Sequence, residues 1–473
     1  MMPSETSDSM ASDDGAQVGS AEDRVRTEVV AAVLRRIEGE SLAFVRCEFI
    51  DYLGVARGRD VYRDYLPAVL QKGLNFGSHN NIVDIDDMET DPAVGSQSGD
   101  LWAVPDPHSF VKLPYTTATG HMFTDLVGPD GAPWPNCART GLKRLCEVAQ
   151  RELGHVQLGF EQEGYILRRN GERYEPLHRA KQFTAEIVDA ETSFLSDLSS
   201  TLVAMEIPLE KMTAEGGWGM FEVNFRHDDP LAASERYFHF KQAFRSIARA
   251  HGYVGSFMPK PFAAATGAGL HVHISCEDSE GHDIFGTPVD RSGLSSVGRA
   301  FLGGLMAHAA SITAIGSASV NSYKRLQPGS WSPTHAVWGS GNRSAMVRIV
   351  EERSDFPHSS QRLELRSPDG TCNPYLLGTC ILAAGLDGVR RELDPGPEID
   401  FDVARPPTGA ALAGLRLPNS LDRALDALDS DETLREVMGA ALVDSYLKVK
   451  RLEWAKFAAH VTDWEYRYYT EFF

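Results

Sequence analysis

The sequence predicts an α+β chain: a small sheet-rich N-terminal domain, then a larger domain in which strand-like segments alternate with helices. Three observations carry the prediction. Glu161-Gln162-Glu163, His271-Val272-His273 and Arg362-Leu363-Glu364-Leu365-Arg366 place charged or imidazole groups at every second position, which is the side-chain period of a β-strand. Helix-like segments fall between and after them, at 189–205, 232–251, 298–317 and 373–392. Between the two parts, Gly128-Pro129-Asp130-Gly131-Ala132-Pro133-Trp134-Pro135 is a dense turn segment and marks a boundary.

Along the chain, residues 1–23 are rich in Ser, Asp, Ala and Gly, with neither a basic start nor an apolar core. They read as a disordered leader, not a secretory signal. Val25, Val29, Val30, Val33 and Leu34 have helical spacing over 24–37 and open the ordered part. Residues 42–51 alternate toward a strand, and 55–61 follow Gly54, which suggests a hairpin. Residues 101–113 and 118–127 supply further strands. The expected N-terminal domain is thus 24–127 and the larger domain 128–473. In the latter, 139–153 reads as a helix, and the stretch from Ser420 is mainly helical. Residues 300–320 lack any formal charge and approach the length of a membrane span. They hold His308 and several Gly, Ser and Thr residues, so a buried helix packed through small residues is expected, with no membrane partner.

Composition narrows the function. The 473 residues include 42% hydrophobic and 24% charged residues, ordinary values for a soluble enzyme. A formal net charge of -20 argues against a nucleic-acid partner, which needs a basic face. It does not argue against ATP, which a local arginine cluster can hold. Cys47, Cys137, Cys146, Cys276, Cys372 and Cys380 are scattered without a CxxC pair and read as reduced thiols of a cytoplasmic protein. No GxxxxGK[ST] loop and no GxGxxG fingerprint occurs, so a nucleotide would be held by another architecture.

The alternating strands point two or three polar groups the same way, and Glu215 and Glu222 add two more carboxylates. Any one such strand is also what a solvated face or an ion pair looks like. Burying them together is costly unless a cation neutralises them. Carboxylates with imidazole suit Mg²⁺ or Mn²⁺, and the arginines suit a phosphate or carboxylate. The pattern points to metal-dependent phosphoryl transfer.

Six blocks in order carry a resemblance. They are Gly159 to Glu163, Glu215 to Glu222, Gly267 to Ser275, Asn321 to Gly329, Asn342 to Arg348 and Arg362 to Tyr375. Together they resemble the glutamine synthetase superfamily, in particular its γ-glutamyl-amine ligases (γ-glutamylamide, γ-glutamylanilide and γ-glutamylpolyamine synthetases). The resemblance implies an N-terminal β-grasp domain and a catalytic domain with a curved antiparallel sheet flanked by helices. It also implies a homo-oligomeric ring, often a dodecamer, with active sites between subunits. It implies ATP, L-glutamate and an amine as ligands, with two or three Mg²⁺ or Mn²⁺ ions per site. Glu163, Glu215 and Glu222 resemble one metal site, and Glu161, His271 and Glu364 the second. Glu210, Phe225, His273, Ser275 and Arg362 resemble the nucleotide side. Glu163, Gly267, Arg325 and Arg366 resemble the glutamate site. Arg343 and Arg348 resemble the arginines that stabilise the transferred phosphoryl group, and Glu215 is a candidate base.

Departures from the family pattern are informative. Glutamine synthetases hold ammonium with a flap glutamate two residues after the Pro-Gly of the Tyr-Lys-Arg block, and Trp331 stands there. They also use an aspartate from the adjacent subunit, whose best counterpart is Gly77, followed by Ser78. Thr266 replaces the usual Asn before Gly267, and no tyrosine-bearing loop follows Gly388. Without those two acids, ammonium is poorly attracted and deprotonated. A Trp-walled pocket instead suits an aryl amine by stacking or a small alkyl amine by cation–π attraction. A polyamine would need further acids, which Asp84, Asp86, Asp87 and Glu89 offer. The expected reaction is ATP-dependent ligation of the glutamate γ-carboxylate to an amine through γ-glutamyl phosphate. The alternatives are ordinary glutamine synthetase, or a catalytically silent oligomeric scaffold or regulator.

Overall fold

The computed structural model describes residues 21–179, 181–286, 293–350, 361–410 and 412–473. Of the leader expected over 1–23, residues 1–20 lie outside the described residues. The remainder is corrected: helix α1 spans Ala21–Gly39, so the helix begins before residue 24. Its stripe Val29, Val30, Val33, Leu34 and Ile37 packs on Leu42, Val45, Leu66, Val69, Leu70 and Met122, as the helical spacing requires.

The N-terminal part adds strands β1 (Phe44–Ile50), β2 (Ala56–Tyr62), β3 (Leu74–Gly77), β4 (Asp100–Pro105), β5 (Val111–Lys112) and β6 (Thr119–Val127), with helix α2 (Leu66–Lys72). The expected hairpin is present, with β1 antiparallel to β2 from Phe44↔Tyr62 to Ile50↔Ala56. Among the described residues the strand order is β2-β1-β6-β4-β3, with β5 on β6. The β1–β6 pair is parallel.

The larger part runs α3 (Ala138–Glu152), β7 (His155–Asn170), β8 (Arg173–Pro176), α4 (Ala185–Ala190), α5 (Thr192–Ala204), β9 (Leu209–Ala214), β10 (Met220–Phe225) and α6 (Pro230–Ala250). It continues through β11 (Val254–Ser256), β12 (Leu270–Glu277), α7 (Ser296–Ala307), α8 (Ala309–Gly316), α9 (Ser322–Arg325), β13 (Trp338–Ser340), β14 (Val347–Ile349) and β15 (Leu363–Leu365). Helices α10 (Pro374–Arg390), α11 (Leu421–Asp429), α12 (Glu432–Met438), α13 (Ala440–Ala458) and α14 (Asp463–Tyr469) complete it. The curled sheet has the order β13-β14-β15-β12-β7-β10-β9, with β8 and β11 on β7. Among the described residues it is antiparallel except at β13–β14. One face packs on α3 and α6, with α10 against both and α7 against α10, through a continuous apolar core.

Two predicted helices are interrupted. Residues 189–205 divide into α4 and α5. Residues 298–317 divide into α7 and α8 at His308, whose ring bonds Asp431 at 2.7 Å and Asp387 at 3.0 Å. The small residues of this segment allow close packing. A Cβ at Gly304 would collide with the Ala384 carbonyl oxygen on α10. No described helix is long and apolar enough to cross a membrane. Asn373 caps α10, accepting from Tyr375 N at 2.9 Å and donating to the Asp51 carbonyl at 2.9 Å. That bond ties the α10 end to the N-terminal part.

Candidate active site

Strand register assembles the site. Across the sheet, His271 is paired with Glu161, Glu161 with Asn224, and Asn224 with Lys211. One step along, Glu163 is paired with Glu222, and Glu222 with Thr213. On the other side, His273 is paired with Glu364, and Glu364 with Arg348. The period of two puts each row on the same face, so six strands, β9, β10, β7, β12, β15 and β14, converge their polar groups on one floor. Glu215 enters from the turn between β9 and β10.

Hydrogen bonds fix these groups. Glu161 takes His271 Nδ1 at 2.8 Å on one oxygen and His273 Nε2 at 3.0 Å on the other. Glu163 accepts from Gly269 N at 2.7 Å. Glu215 Oε2 accepts from Gln182 Nε2 at 2.8 Å and Gly216 N at 3.1 Å. Buried Glu364 is paired with Arg348 at 2.7 Å and with Arg366. Arg366 also donates to the Arg343 carbonyl at 3.1 Å. Arg325, fully enclosed, donates to the carbonyls of Ser367, Pro368 and Arg366.

The electrostatics are those of a site built for positive charge. Burial pushes Glu222 up, and the neighbouring charges of Glu161, Glu163 and Glu215 push it further. Burial and then Glu163 raise Glu215. Burial alone would raise Glu161, but the bonds and charges of His271 and His273 outweigh it and hold it low. Burial acts on Glu364 in the same sense, and Arg366 and His271 overcome it. Ligand atoms of Glu161, His273 and Glu364 all lie within 4.8 Å of one another. His271 Nδ1 is also 3.5 Å from Glu364. His273 Nδ1 and Arg348 Nε are buried without a hydrogen-bond partner. Crowded carboxylates beside imidazole nitrogens fit Mg²⁺ or Mn²⁺.

Two cavities flank this floor. The reaction cavity, of roughly 670 Å³, is lined by Glu161, Glu163, Glu215, Glu222, Gly267, His271, Arg325, Trp331, Arg343, Arg348 and Arg366. A second space of roughly 520 Å³ is lined by Glu210, Phe225, His273, Ser275 and Arg362. The residues expected at the nucleotide thus gather in one place, and those expected at glutamate and phosphoryl transfer in the other. Glu161 and Lys211 line both cavities, so the two spaces meet there. Gly77 and Ser78 are not among the described lining residues of either; they sit at the end of β3 and just beyond it. The acids proposed for a polyamine are already engaged. Asp84 and Asp86 each bond Lys456 at 2.5 Å, and Asp87 pairs with Arg57 at 2.6 Å.

Sequence reasoning missed Lys211, Thr213, Gln182 and Phe183, all of which line the reaction cavity. Lys211 and Thr213 were within reach, since alternation backward from Glu215 reaches both. Gln182 and Phe183 lie between β8 and α4, where no periodicity points.

Comparison with known proteins agrees with this geometry. Residues 135–469 match the glutamine synthetase catalytic domain and 30–134 the glutamine synthetase N-terminal domain. The chain belongs to the glutamine synthetase family and is an ATP-dependent ligase, a class that uses glutamate, ATP, divalent metal and an amine or ammonia. The glutamine synthetase of Mycobacterium tuberculosis (strain ATCC 25618 / H37Rv) is 34% identical over 455 residues, covering 92% of this chain and 98% of that protein. That of Halobacterium salinarum is 31% identical over 465 residues, covering 96% and 99%. Among solved structures, the GmaS/ADP complex superposes with a TM-score of 0.83 at 32% identity, covering 93% of this chain and 99% of that one. A novel glutamine synthase homolog gives 0.78 at 29% identity, covering 91% and 99%.

Proposed function

We propose that this chain joins the γ-carboxylate of L-glutamate to a primary amine, aryl or small alkyl, in preference to ammonia. The observation that carries the reading is Trp331 on the wall of the reaction cavity, between Ser330 and Ser332. This flap brings no carboxylate, and Phe183 and Met220 add apolar surface to the same cavity.

In the first step a γ-carboxylate oxygen attacks the γ-phosphorus of ATP, giving γ-glutamyl phosphate and ADP. Glu210, Phe225, His273, Ser275 and Arg362 seat the nucleotide. Gly267, Arg325, Arg366 and Glu163 orient glutamate. The guanidinium groups of Arg343 and Arg348 face the charge that develops on the transferred phosphoryl group. In the second step the amine nitrogen attacks the activated carbonyl, phosphate leaves, and the proton passes to Glu215. Both fixed bonds to Glu215 fall on Oε2, which leaves Oε1 to take that proton. Glu163, Glu215 and Glu222 would hold one divalent cation and Glu161, His271 and Glu364 a second. When bound, Mg²⁺ or Mn²⁺ supplies neutralisation of these carboxylates and of the phosphate oxygens.

A homo-oligomeric ring is part of the reading. Gly77 and Ser78 would reach the amine side from a neighbouring subunit. The C-terminal stretch also leaves Trp464, Tyr466, Phe472 and Phe473 exposed, surface that association would cover. A cytoplasmic setting is supported by six free cysteines, five of them buried.

The second reading is ordinary glutamine synthetase, favoured by the names of the curated relatives at 30–34% identity. Phosphate release with ATP, glutamate and Mg²⁺ or Mn²⁺ separates the two over a panel of ammonia, methylamine, isopropylamine, ethanolamine, putrescine and aniline. Higher kcat/KM for an apolar amine than for ammonia supports the ligase reading; the reverse order replaces it with glutamine synthetase.

A further inference from the structure

Lys211 stands where the two cavities along the floor meet. With Glu161 it lines both the reaction cavity and the second space beside it. It alternates along β9 with Thr213. In register it is paired with Asn224, and Asn224 with Glu161. Its side chain therefore lies on the floor side of the sheet, in the row that runs on to His271.

Strand β9 ends the sheet, and an edge strand often carries a lysine merely to discourage further pairing. Two observations give this lysine a further task. First, it forms no ion pair and no side-chain hydrogen bond among the described residues, although Glu161, Glu163, Glu215 and Glu222 line the same cavity. Its charge is felt there: burial raises Glu222, the other three carboxylates raise it further, and Lys211 opposes them. The ammonium group thus faces the floor with no carboxylate closing on it. Second, Asn224 is 6% exposed and lines the second space, and its Oδ1 is buried without a hydrogen-bond partner. A buried amide left unsatisfied is costly. It is also a group ready to meet an incoming polar ligand, with an oxygen and an NH2 to offer. Paired neighbours on one face have Cβ atoms about 5 Å apart, so one ligand group can touch both Lys211 and Asn224.

What crosses this junction follows from what the two spaces hold. The argument rests on the reading that the second space takes the nucleotide, and it goes beyond that reading. The nucleoside lies on the Phe225 side, and the γ-phosphorus must meet the glutamate γ-carboxylate in the reaction cavity. The phosphate chain therefore passes the boundary that Lys211 lines. On transfer, a bond forms from a carboxylate oxygen to the γ-phosphorus. The bond from that phosphorus to the β,γ-bridging oxygen breaks, and its electron pair stays on the oxygen, now part of ADP. We propose that Lys211 and the Asn224 amide are the phosphate-contacting pair of this junction, holding the β-phosphate of ATP and facing the charge left on ADP. A lysine serves phosphate as a point charge on a flexible stem, and a cation placed where charge develops lowers the barrier.

The test titrates full-length wild type, Lys211→Met, Lys211→Arg and Asn224→Leu with AMP, ADP and ATP by calorimetry, in saturating Mg²⁺ without glutamate. Methionine keeps the reach of the side chain without its charge, arginine keeps the charge, and leucine keeps the shape of the amide without its polarity. Lys211→Met and Asn224→Leu should each weaken ADP and ATP by about tenfold, with AMP changed by less than about twofold. Lys211→Arg should recover most of the affinity, and glutamate-dependent ADP formation should follow the same order. Mn²⁺ titrated without nucleotide should bind Lys211→Met as tightly as wild type or more tightly, because a cation has left an acidic floor. Equal losses of AMP and ADP in either variant, an unchanged ADP affinity in either, or weaker Mn²⁺ binding to Lys211→Met overturns the proposal. Failure of the nucleotide reading is seen separately. His227 also lines the second space, and His227→Trp should weaken AMP. An AMP affinity unmoved there would place the nucleotide elsewhere and end the proposal with that reading, whatever the Lys211 variants do.

Discussion

Glu163 and Glu222 face each other as paired residues on adjacent antiparallel strands, both at 8% exposure. Like charges directly opposite are destabilising, and burial in this cavity adds to the cost. A divalent cation, which the family uses, would neutralise the pair.

Removing one partner should therefore stabilise the metal-free protein. Glu222→Gln should raise its Tm in EDTA, by the equivalent of about 1 kcal/mol, and abolish ligase activity. Mn²⁺ should raise the Tm of the wild type more than that of the variant. Differential scanning fluorimetry with and without Mn²⁺ checks both. A larger Mn²⁺ response in the variant would refute the assignment.

Glu364 pairs with Arg348 and Arg366 while approaching His271. Glu364→Gln keeps hydrogen-bond acceptance but removes the charge. Glutamate-dependent ADP formation should fall by roughly a hundredfold to a thousandfold. Near-normal turnover would remove Glu364 from the phosphoryl-transfer machinery.

Trp331→Glu restores an acid on the flap. The ratio of kcat/KM for methylamine to that for ammonia should fall by about tenfold or more. An unchanged ratio over the amine panel would show that Trp331 does not contact the acceptor.

Asn373→Ala removes the cap of α10 and the bond to the Asp51 carbonyl. The cap alone is worth about 1 kcal/mol, and the Asp51 carbonyl loses its partner besides. Urea denaturation should show a lower midpoint with an unchanged m-value, while kcat changes little.

His308 gives stability a pH dependence. Burial would lower its pKa, but Asp431 and Asp387 outweigh burial and raise it. Arg391 also reaches Asp387, at 3.0 Å. A raised histidine contributes fully below its unfolded value of about 6.5, and the contribution is lost as pH rises through the folded value. Asp431 is shifted the opposite way, so its share is lost only in acid. The Tm gap between wild type and His308→Gln should thus be wide near pH 6, roughly 2 kcal/mol, and narrow by pH 9. A gap that widens with pH would contradict the assignment.

Several of these features were legible in the sequence because strands write their geometry as a period of two. Glu161, Glu163, His271, His273 and Glu364 could each be assigned to a face from spacing alone. Which strand lies beside which could not, since the pairing of Glu222 with Glu163 is a property of the assembled sheet. The break at His308 was hidden for the same reason. It depends on Asp387 and Asp431, which are remote in sequence. Gln182 and Phe183 lie in irregular chain, where residue identity carries no regular spacing to read.

In the proposed reaction, phosphoryl transfer would rest on the sheet, whereas the acceptor would meet loops: the Trp331 flap and Gln182 with Phe183. Substitutions in those loops leave the strand register untouched. The catalytic engine and the choice of nucleophile are consequently separable traits. A lineage can explore new nitrogen sources by drift at the periphery, without re-evolving the chemistry that activates glutamate.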